Sequence, residues 1–196
     1  MADSNITKQA LSNALKELLE EQSFEKISVS DICERCHMNR KSFYYHFKDK
    51  YDLVNWIFDT EFVELNQNSA LETRLLSPNF DDRWQNIEII CDYFYENRSF
   101  YRRVLKVDGQ NSFVSHFREF IRPLFRLRVE ALLGVEDVPE VVYDFVLDGV
   151  ICVVARWLLD KNCISVEDFM FNLKKLIQIF YLDLDRRVSE DPKWLE

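Results

Sequence analysis

Ser28-Val29-Ser30-Asp31-Ile32-Cys33-Glu34-Arg35-Cys36-His37-Met38-Asn39-Arg40-Lys41-Ser42-Phe43-Tyr44-Tyr45-His46-Phe47-Lys48-Asp49-Lys50 is the stretch that decides how this chain folds. It reads as two short helices with a tight break between them. Ser28, followed three residues later by Asp31, has the pattern of a helix cap. Val29, Ile32, Cys33 and Cys36 then share one face. His37 and Met38 interrupt the run, and Asn39 opens a second helix. On that helix Phe43 and Phe47 stand one turn apart and must point inward together. Arg40, Lys41, Ser42, Tyr44, Tyr45, His46 and Lys48 remain around them. Residues 37–50 hold four cations (Arg40, Lys41, Lys48, Lys50) against the single anion Asp49, in a protein whose net charge is −9. A basic, aromatic and hydroxyl-rich helix in an acidic chain suits a polyanion. Its place behind a capped helix and a tight break is that of the recognition helix in a helix-turn-helix.

Working outward, Asn5 to Glu21 reads as a first helix. Its expected inner stripe is Ile6, Ala10, Ala14, Leu18 and Leu19, with Lys8 and Lys16 outside. It completes a three-helix domain over residues 1–50. Charge is polarised within that domain, −3 over residues 1–25 and +3 over residues 26–50. Glu17, Glu20, Glu21 and Glu25 are therefore expected to face away from a polyanion. Asp49 can cap a connecting helix over residues 50–67, whose stripe is Leu53, Val54, Ile57, Phe58, Phe62 and Leu65. No flexible linker separates reader and core, so movement in the core must reorient the reader.

Ser77-Pro78-Asn79 is the clearest break before the second domain, residues 68–196. Helices follow from Asp82 to about Asn97, from Ser99 to Val107, and from Ser112 to Leu133, where Pro123 should kink or split the helix. Gly134 ends that segment. Pro139 suits the first turn of the next helix, which continues to Leu159. Ser165 and Asp168 make a capping box for a last helix reaching about Val188. The fold class is all-α: a three-helix helix-turn-helix domain followed by a helical bundle, about nine helices in all.

Composition narrows the function. Only 3 glycines and 4 prolines in 196 residues leave little material for hairpins, and 47% hydrophobic content excludes disorder. No apolar run approaches the ~20 residues that span a bilayer. The start, Met-Ala-Asp-Ser, lacks the basic and apolar regions of a signal peptide, and a cytoplasmic protein is expected. Cys33-Glu-Arg-Cys36-His37 spells a haem-attachment string and a C-x-x-C pair. Both thiols lie on an apolar face, however, and nothing completes a zinc site, so neither metal nor cofactor is expected. A helical redox or haem protein using Cys33 and Cys36 is the competing class. It lacks an H-E-x-x-H, a Gly-rich phosphate loop or a G-x-S-x-G, and no enzyme is expected.

Met38 to Lys50, with Asp52-Leu53 behind it, resembles the signature of TetR-type bacterial transcriptional regulators: a capping hydroxyl, a variable triplet, an apolar residue, Tyr, two variable positions, Phe, then Lys and Leu. The resemblance covers about the first third of the chain. Two positions depart from it. The usual turn glycine is His37, among the less penalised residues at positive φ, and the usual Ser or Thr cap is Asn39, which caps well. The resemblance implies a regulator, a repressor in the first instance, that reads a palindromic operator on double-stranded DNA as a homodimer under the control of an effector. Activation under a partner protein is the alternative.

Side-chain chemistry then distributes the roles. Arg40 and Lys41 can reach guanine edges, and Ser42 and Tyr44 bases or thymine methyls. Tyr45, His46, Lys48 and Lys50 are expected on phosphates, with Thr7, Ser28 and Asn39 at helix N-termini. The last two helices are apolar beyond one face and need cover on both sides, which a second copy supplies through Val146, Gly149, Val150, Val153, Trp157, Phe169, Leu173, Leu176, Ile177 and Phe180. The resemblance suggests an effector cavity among Trp84, Phe94, Tyr95, Phe100, Tyr101, Phe113, Phe117 and Tyr143. Plain aromatic core is the competing reading.

Overall fold

The computed structural model describes residues 2–69, 80–106, 112–133 and 138–176, and among them there is no strand. The helices are α1 (Ala2–Glu21), α2 (Val29–Arg35), α3 (Arg40–His46), α4 (Lys50–Ser69), α5 (Phe80–Glu96), α6 (Arg98–Val104), α7 (Phe113–Leu133) and α8 (Glu140–Leu159), with a single 3-10 turn at Phe24–Lys26. The all-α class stands. Residues 166–176 are helical (α9) and belong to a second unit that begins at Asp160. Ser77-Pro78-Asn79, Gly134 and everything after residue 176 lie outside the described residues.

α1 is organised by Leu11, Ala14, Leu15, Leu18 and Leu19, all buried. This corrects the expected stripe at its start: Ile6 is 66% exposed. At 100° per residue, Ile6 points about 140° away from Leu11, so the two cannot share a face. α1 packs on α2, α3 and α4. The resulting small core takes Phe24 and Ile27 from the connection, Ile32 and Cys33 from α2, Phe43 and Phe47 from α3's end, and Leu53, Val54 and Ile57 from α4. These side chains hold two helices of only seven residues each, too short to persist alone.

α4 passes from this core into the next without interruption. Its Phe58 is fully buried and meets Phe62, Phe94, Phe113, Phe117 and Phe120 at ring-centroid distances of 5.1 to 6.2 Å. α7 runs as one helix through Pro123, so the chain is not split there. α7 and α8 are joined by a charge ladder: Arg118 pairs with Asp148 (2.6 Å) and Asp144 (2.7 Å), Arg122 with Glu140 (2.9 Å), and Arg126 with Glu140 (2.7 Å). Residues four apart on each helix meet in reversed order, which is the register of an antiparallel pair. In α9, the Ser165 hydroxyl accepts from Asp168 N (3.1 Å) and donates to its carboxylate (2.9 Å).

Candidate nucleic-acid interface

The helix-turn-helix is built by local hydrogen bonds that the sequence encodes directly. Ser28 Oγ accepts from Asp31 N (3.2 Å) while Ser28 N–H donates to Asp31 Oδ2 (2.7 Å), a closed capping box on α2. His37 takes φ 55°, the one non-glycine positive φ among the described residues, and this left-handed step turns the chain. Met38 N–H bonds back to Cys33 O at 2.8 Å, fastening the turn. Asn39 Oδ1 then accepts from Ser42 N (2.8 Å) and Ser42 Oγ (3.2 Å) and starts α3.

α3 buries Phe43 completely and exposes Arg40, Lys41, Tyr44 and Tyr45. Tyr45 is 83% exposed, an unusual position for a large ring without a ligand. Arg40 reaches Tyr44 at i+4: Nη2 lies 3.4 Å from the phenol oxygen, and the guanidinium stands over the ring at 5.8 Å. His46 is half-buried, edge-on to Tyr45 at 4.9 Å. Lys48 is exposed beyond the helix end. Lys8 of α1 was expected outside; its Nζ stands over Phe47 (5.8 Å) and Trp56 (5.6 Å), holding the end of α3 between α1 and α4. Acidic groups are drawn elsewhere. Glu21 forms a two-pronged pair with Arg35 of α2 (2.7 and 2.8 Å), and that hydrogen-bonded guanidinium holds its carboxyl below the usual carboxylate range.

This geometry gives three of the expected DNA contacts a role inside the domain. Lys50 spends its three N–H donors inside the domain, on the carbonyls of Phe24 (2.7 Å), Ile27 (2.7 Å) and Glu25 (3.3 Å). It fastens the 3-10 connection and has no donor left for a phosphate. Ser28 gives its hydroxyl proton to Asp31 (2.7 Å), whose carboxylate already answers the α2 N-terminus and repels a phosphate there. Asn39 is a cap, its side-chain oxygen engaged twice. Thr7 lies half-buried on α1.

The expected effector residues do not form one group. Phe94, Phe113 and Phe117 are buried around Phe58, Tyr101 is buried against Phe94 and Phe113, and Phe100 stands edge-on to Tyr101 at 5.2 Å. Beside them, Phe94, Phe113, Phe117 and Ile151 line a void of only ≈ 10 Å³, room for one water at most. Tyr143 belongs with Val138 and Val142, under the Arg126 guanidinium at 4.9 Å. Tyr95 is partly exposed and stacks on Trp157 at 5.7 Å. Trp84 is buried. Phe58 itself was legible only as part of the α4 stripe; nothing in sequence spacing shows that it enters the second core.

Of the expected dimer residues, Val146 and Val153 are exposed, Gly149 has nothing within 4 Å of where a Cβ would stand, and Val150 is half-buried. Val141 (71%) and Phe145 (79%) extend the same exposed apolar face of α8. Trp157 and Phe169 are buried within the chain itself, which removes them from a free surface. On α9 Leu173 is half-buried and Leu176 exposed; Ile177 and Phe180 lie outside the described residues.

Cys33 is buried and Cys36 half-buried, its Sγ 3.3 Å from Ile32 O. Burial pushes both thiols above their ordinary pKa, the opposite of an activated pair. No helix among the described residues is long and apolar enough to cross a membrane.

An exposed cationic helix-turn-helix, rigidly continued into a helical core, defines the class of DNA-binding transcriptional regulators. Comparison with known proteins gives the family. Residues 11–57 match the model of bacterial regulatory proteins, tetR family, and residues 82–179 match that of a transcriptional regulator C-terminal region. The chain belongs to the TetR family. It is 33% identical over 110 residues to the HTH-type dhaKLM operon transcriptional activator DhaS of Lactococcus lactis, covering 55% of this chain and 54% of that one. The chain thus spans about half the length of this curated relative. Two solved structures share the fold: a dihydroxyacetone kinase operon activator DhaS (TM-score 0.56, 18% identity, 89% of this chain and 95% of that one) and a TetR transcriptional regulator from Streptococcus agalactiae (TM-score 0.60, 22% identity, 88% and 93%).

Proposed function

We propose that this protein is a sequence-specific transcriptional regulator that inserts α3 into the major groove and reads an inverted repeat as a homodimer. The exposed face of α3 carries the reading, with Arg40, Lys41, Tyr44 and Tyr45 outward over the fully buried Phe43 and Lys48 exposed just past the helix end. Two copies of α3 related by a two-fold would meet half-sites about one helical turn apart, roughly 34–36 Å or a multiple. Selection of bound sequences from random duplex DNA at near-physiological salt tests this. An inverted repeat supports the reading; recovery of no enriched sequence, or of an asymmetric single site, counts against it.

Roles within the set divide by chemistry. Arg40→Ala should relax base preference at one position of each half-site by about 1–3 kcal/mol. Lys48→Ala should weaken all sequences alike and lower the salt slope by about 1 per subunit. Equal loss of specificity in both variants contradicts the division.

Cover for the exposed α8 face is assigned to a second copy. Val141, Phe145, Val146 and Val153 form an exposed apolar strip on one helix, the kind of surface that marks an interaction site. Gly149, in their midst, has open space where a Cβ would stand, so a side chain can start there in the single chain without clash, and Gly149→Glu is the variant. In a dimer the added carboxylates would be buried without partners. The variant should sediment as a monomer of wild-type helix content, and a dimer of unchanged strength excludes α8 from the interface.

The sign of regulation is taken from the matched relative, whose name makes it an operon activator. A second reading, repression, follows from the family resemblance alone. A promoter–reporter fusion carrying the recovered site decides: output rising with the protein supports activation, and output falling supports repression.

A further inference from the structure

A continuous polar chain crosses from the DNA-reading domain into the core. Lys16 of α1 pairs through Nζ with Glu61 Oε1 of α4. Glu61 Oε2 accepts from the Tyr93 hydroxyl of α5 at 2.8 Å, and the Tyr93 and Tyr101 hydroxyls lie 2.6 Å apart, Tyr101 standing on α6. The proton order follows from the acceptor. An ionised carboxylate only accepts, so Tyr93 gives its single proton to Glu61 and Tyr101 must donate to Tyr93. Burial pushes both phenols above their ordinary range, which keeps both protons in place. Tyr101 is 0% exposed and Tyr93 7%, so water offers no substitute partner. Lys16 also stands over the Phe100 ring of α6 at 5.7 Å.

A second tie runs beside the first. Arg103, at the far end of α6, donates from Nη1 to Gln22 O (3.2 Å) and from Nη2 to Glu20 O (3.3 Å), at the carboxyl end of α1. Those carbonyls have no partner within the helix and carry its negative end, so a guanidinium is the matching group. α6 therefore grips α1 at its middle and its end. The reader is held by the covalent run of α4 and also, across the fold, by α6.

We propose that Glu61 is a positioning residue for DNA reading: with Lys16, Tyr93, Tyr101 and Arg103 it locks α1 to α6 and thereby fixes the angle at which each α3 meets its half-site. The proposal rests on the dimeric reading given above. Glu61 is the centre of the lock because its two oxygens take partners from different helices, Oε1 the Lys16 ammonium of α1 and Oε2 the Tyr93 hydroxyl of α5. Loss of the Glu61 contacts leaves α6 holding α1 through Arg103 and packing alone, and the joint along α4 can swing further. Such a swing changes the distance between the two recognition helices without altering what either can recognise.

The test is affinity as a function of half-site spacing. The probe is the inverted repeat recovered by the wild-type protein, with its centre lengthened or shortened by one or two base pairs. Full-length wild type should prefer one spacing sharply. Tyr93→Phe removes one hydroxyl at constant shape, and Glu61→Gln removes the charge that holds Lys16. Both should flatten the profile, losing about tenfold at the best spacing while altered spacings hold or gain, with base preference within each half-site unchanged. Lys16→Arg, which keeps the pair, should retain the wild-type profile. Val54→Ala, a core change outside the network, controls for stability by weakening all spacings alike. A uniform fall in the Tyr93 and Glu61 variants, parallel to Val54→Ala, overturns the positioning role and leaves the network as ordinary stabilisation. A wild type indifferent to spacing is a separate failure, that of the dimeric reading, and the inference falls with it.

Discussion

Phe43→Ala is expected to destabilise the DNA-reading domain by about 3–5 kcal/mol, the usual cost of emptying a buried phenylalanine site. Phe43 is 0% exposed and meets Tyr44 at 5.6 Å and Phe47 at 5.7 Å. α3 has seven residues, so its helicity depends on this anchor far more than on its own hydrogen bonds. Total stabilities of about 5–15 kcal/mol leave little margin after such a loss. Operator binding should therefore disappear, because the side chains that face DNA keep their identity but lose their common face. Urea denaturation and operator titration, run together, measure both effects. Leu158→Ala, an equally buried change in α8, supplies the comparison, since it should cost stability while leaving half-site preference intact. Full operator affinity in a folded Phe43→Ala protein would show that α3 does not need this anchor.

Lys50→Met should lower stability by about 2–4 kcal/mol and leave the salt dependence of DNA binding as it was. Methionine preserves the packed stem over Phe24, whose ring the ammonium meets at 4.5 Å. It removes the ammonium that reaches three carbonyls in the connection between α1 and α2. Charged hydrogen bonds contribute about 1.5–3 kcal/mol each, and partial exposure lets water recover some of that. The site is withdrawn enough that burial pulls the ammonium below the ordinary lysine range. Thermal unfolding and the slope of log affinity against log salt separate the possibilities. A slope reduced by about 1 per subunit with unchanged melting would instead restore Lys50 to the phosphate contacts.

Lys50 also marks where sequence reasoning stops. In the chain it is one more cation in a basic run, equivalent to Lys48 two residues earlier. In the fold the two diverge, because Asp49 caps α4 through Tyr51 N and Asp52 N and turns the chain between them. Lys48 is left in solvent and Lys50 is carried under the 3-10 turn. The capping residues behaved differently. Ser28, Asp31, Asn39, Asp49, Ser165 and Asp168 act within four residues of themselves, and each does what its position predicted. Ile6 failed for a local reason, a helical phase set by Leu11 onward.

What the sequence by itself determined is local and periodic: the all-α class, the two-helix reader with its caps and turn, and the buried Phe43–Phe47 pair that exposes the cationic face. Each depends on residues within about one or two helical turns, where backbone geometry fixes which side chains can meet. Only the tertiary structure decided that Phe94, Phe113 and Phe117 close around Phe58 while Tyr95 and Tyr143 stand elsewhere, and that Trp157 is internal to the chain. It also decided that Lys16, Glu61, Tyr93 and Tyr101, up to 45 residues apart between neighbours, form one chain of contacts. Those outcomes depend on which helix faces which, and on how completely the side chains fill the space between them. A one-dimensional pattern carries the apolar stripe of each helix but not the partner that covers it.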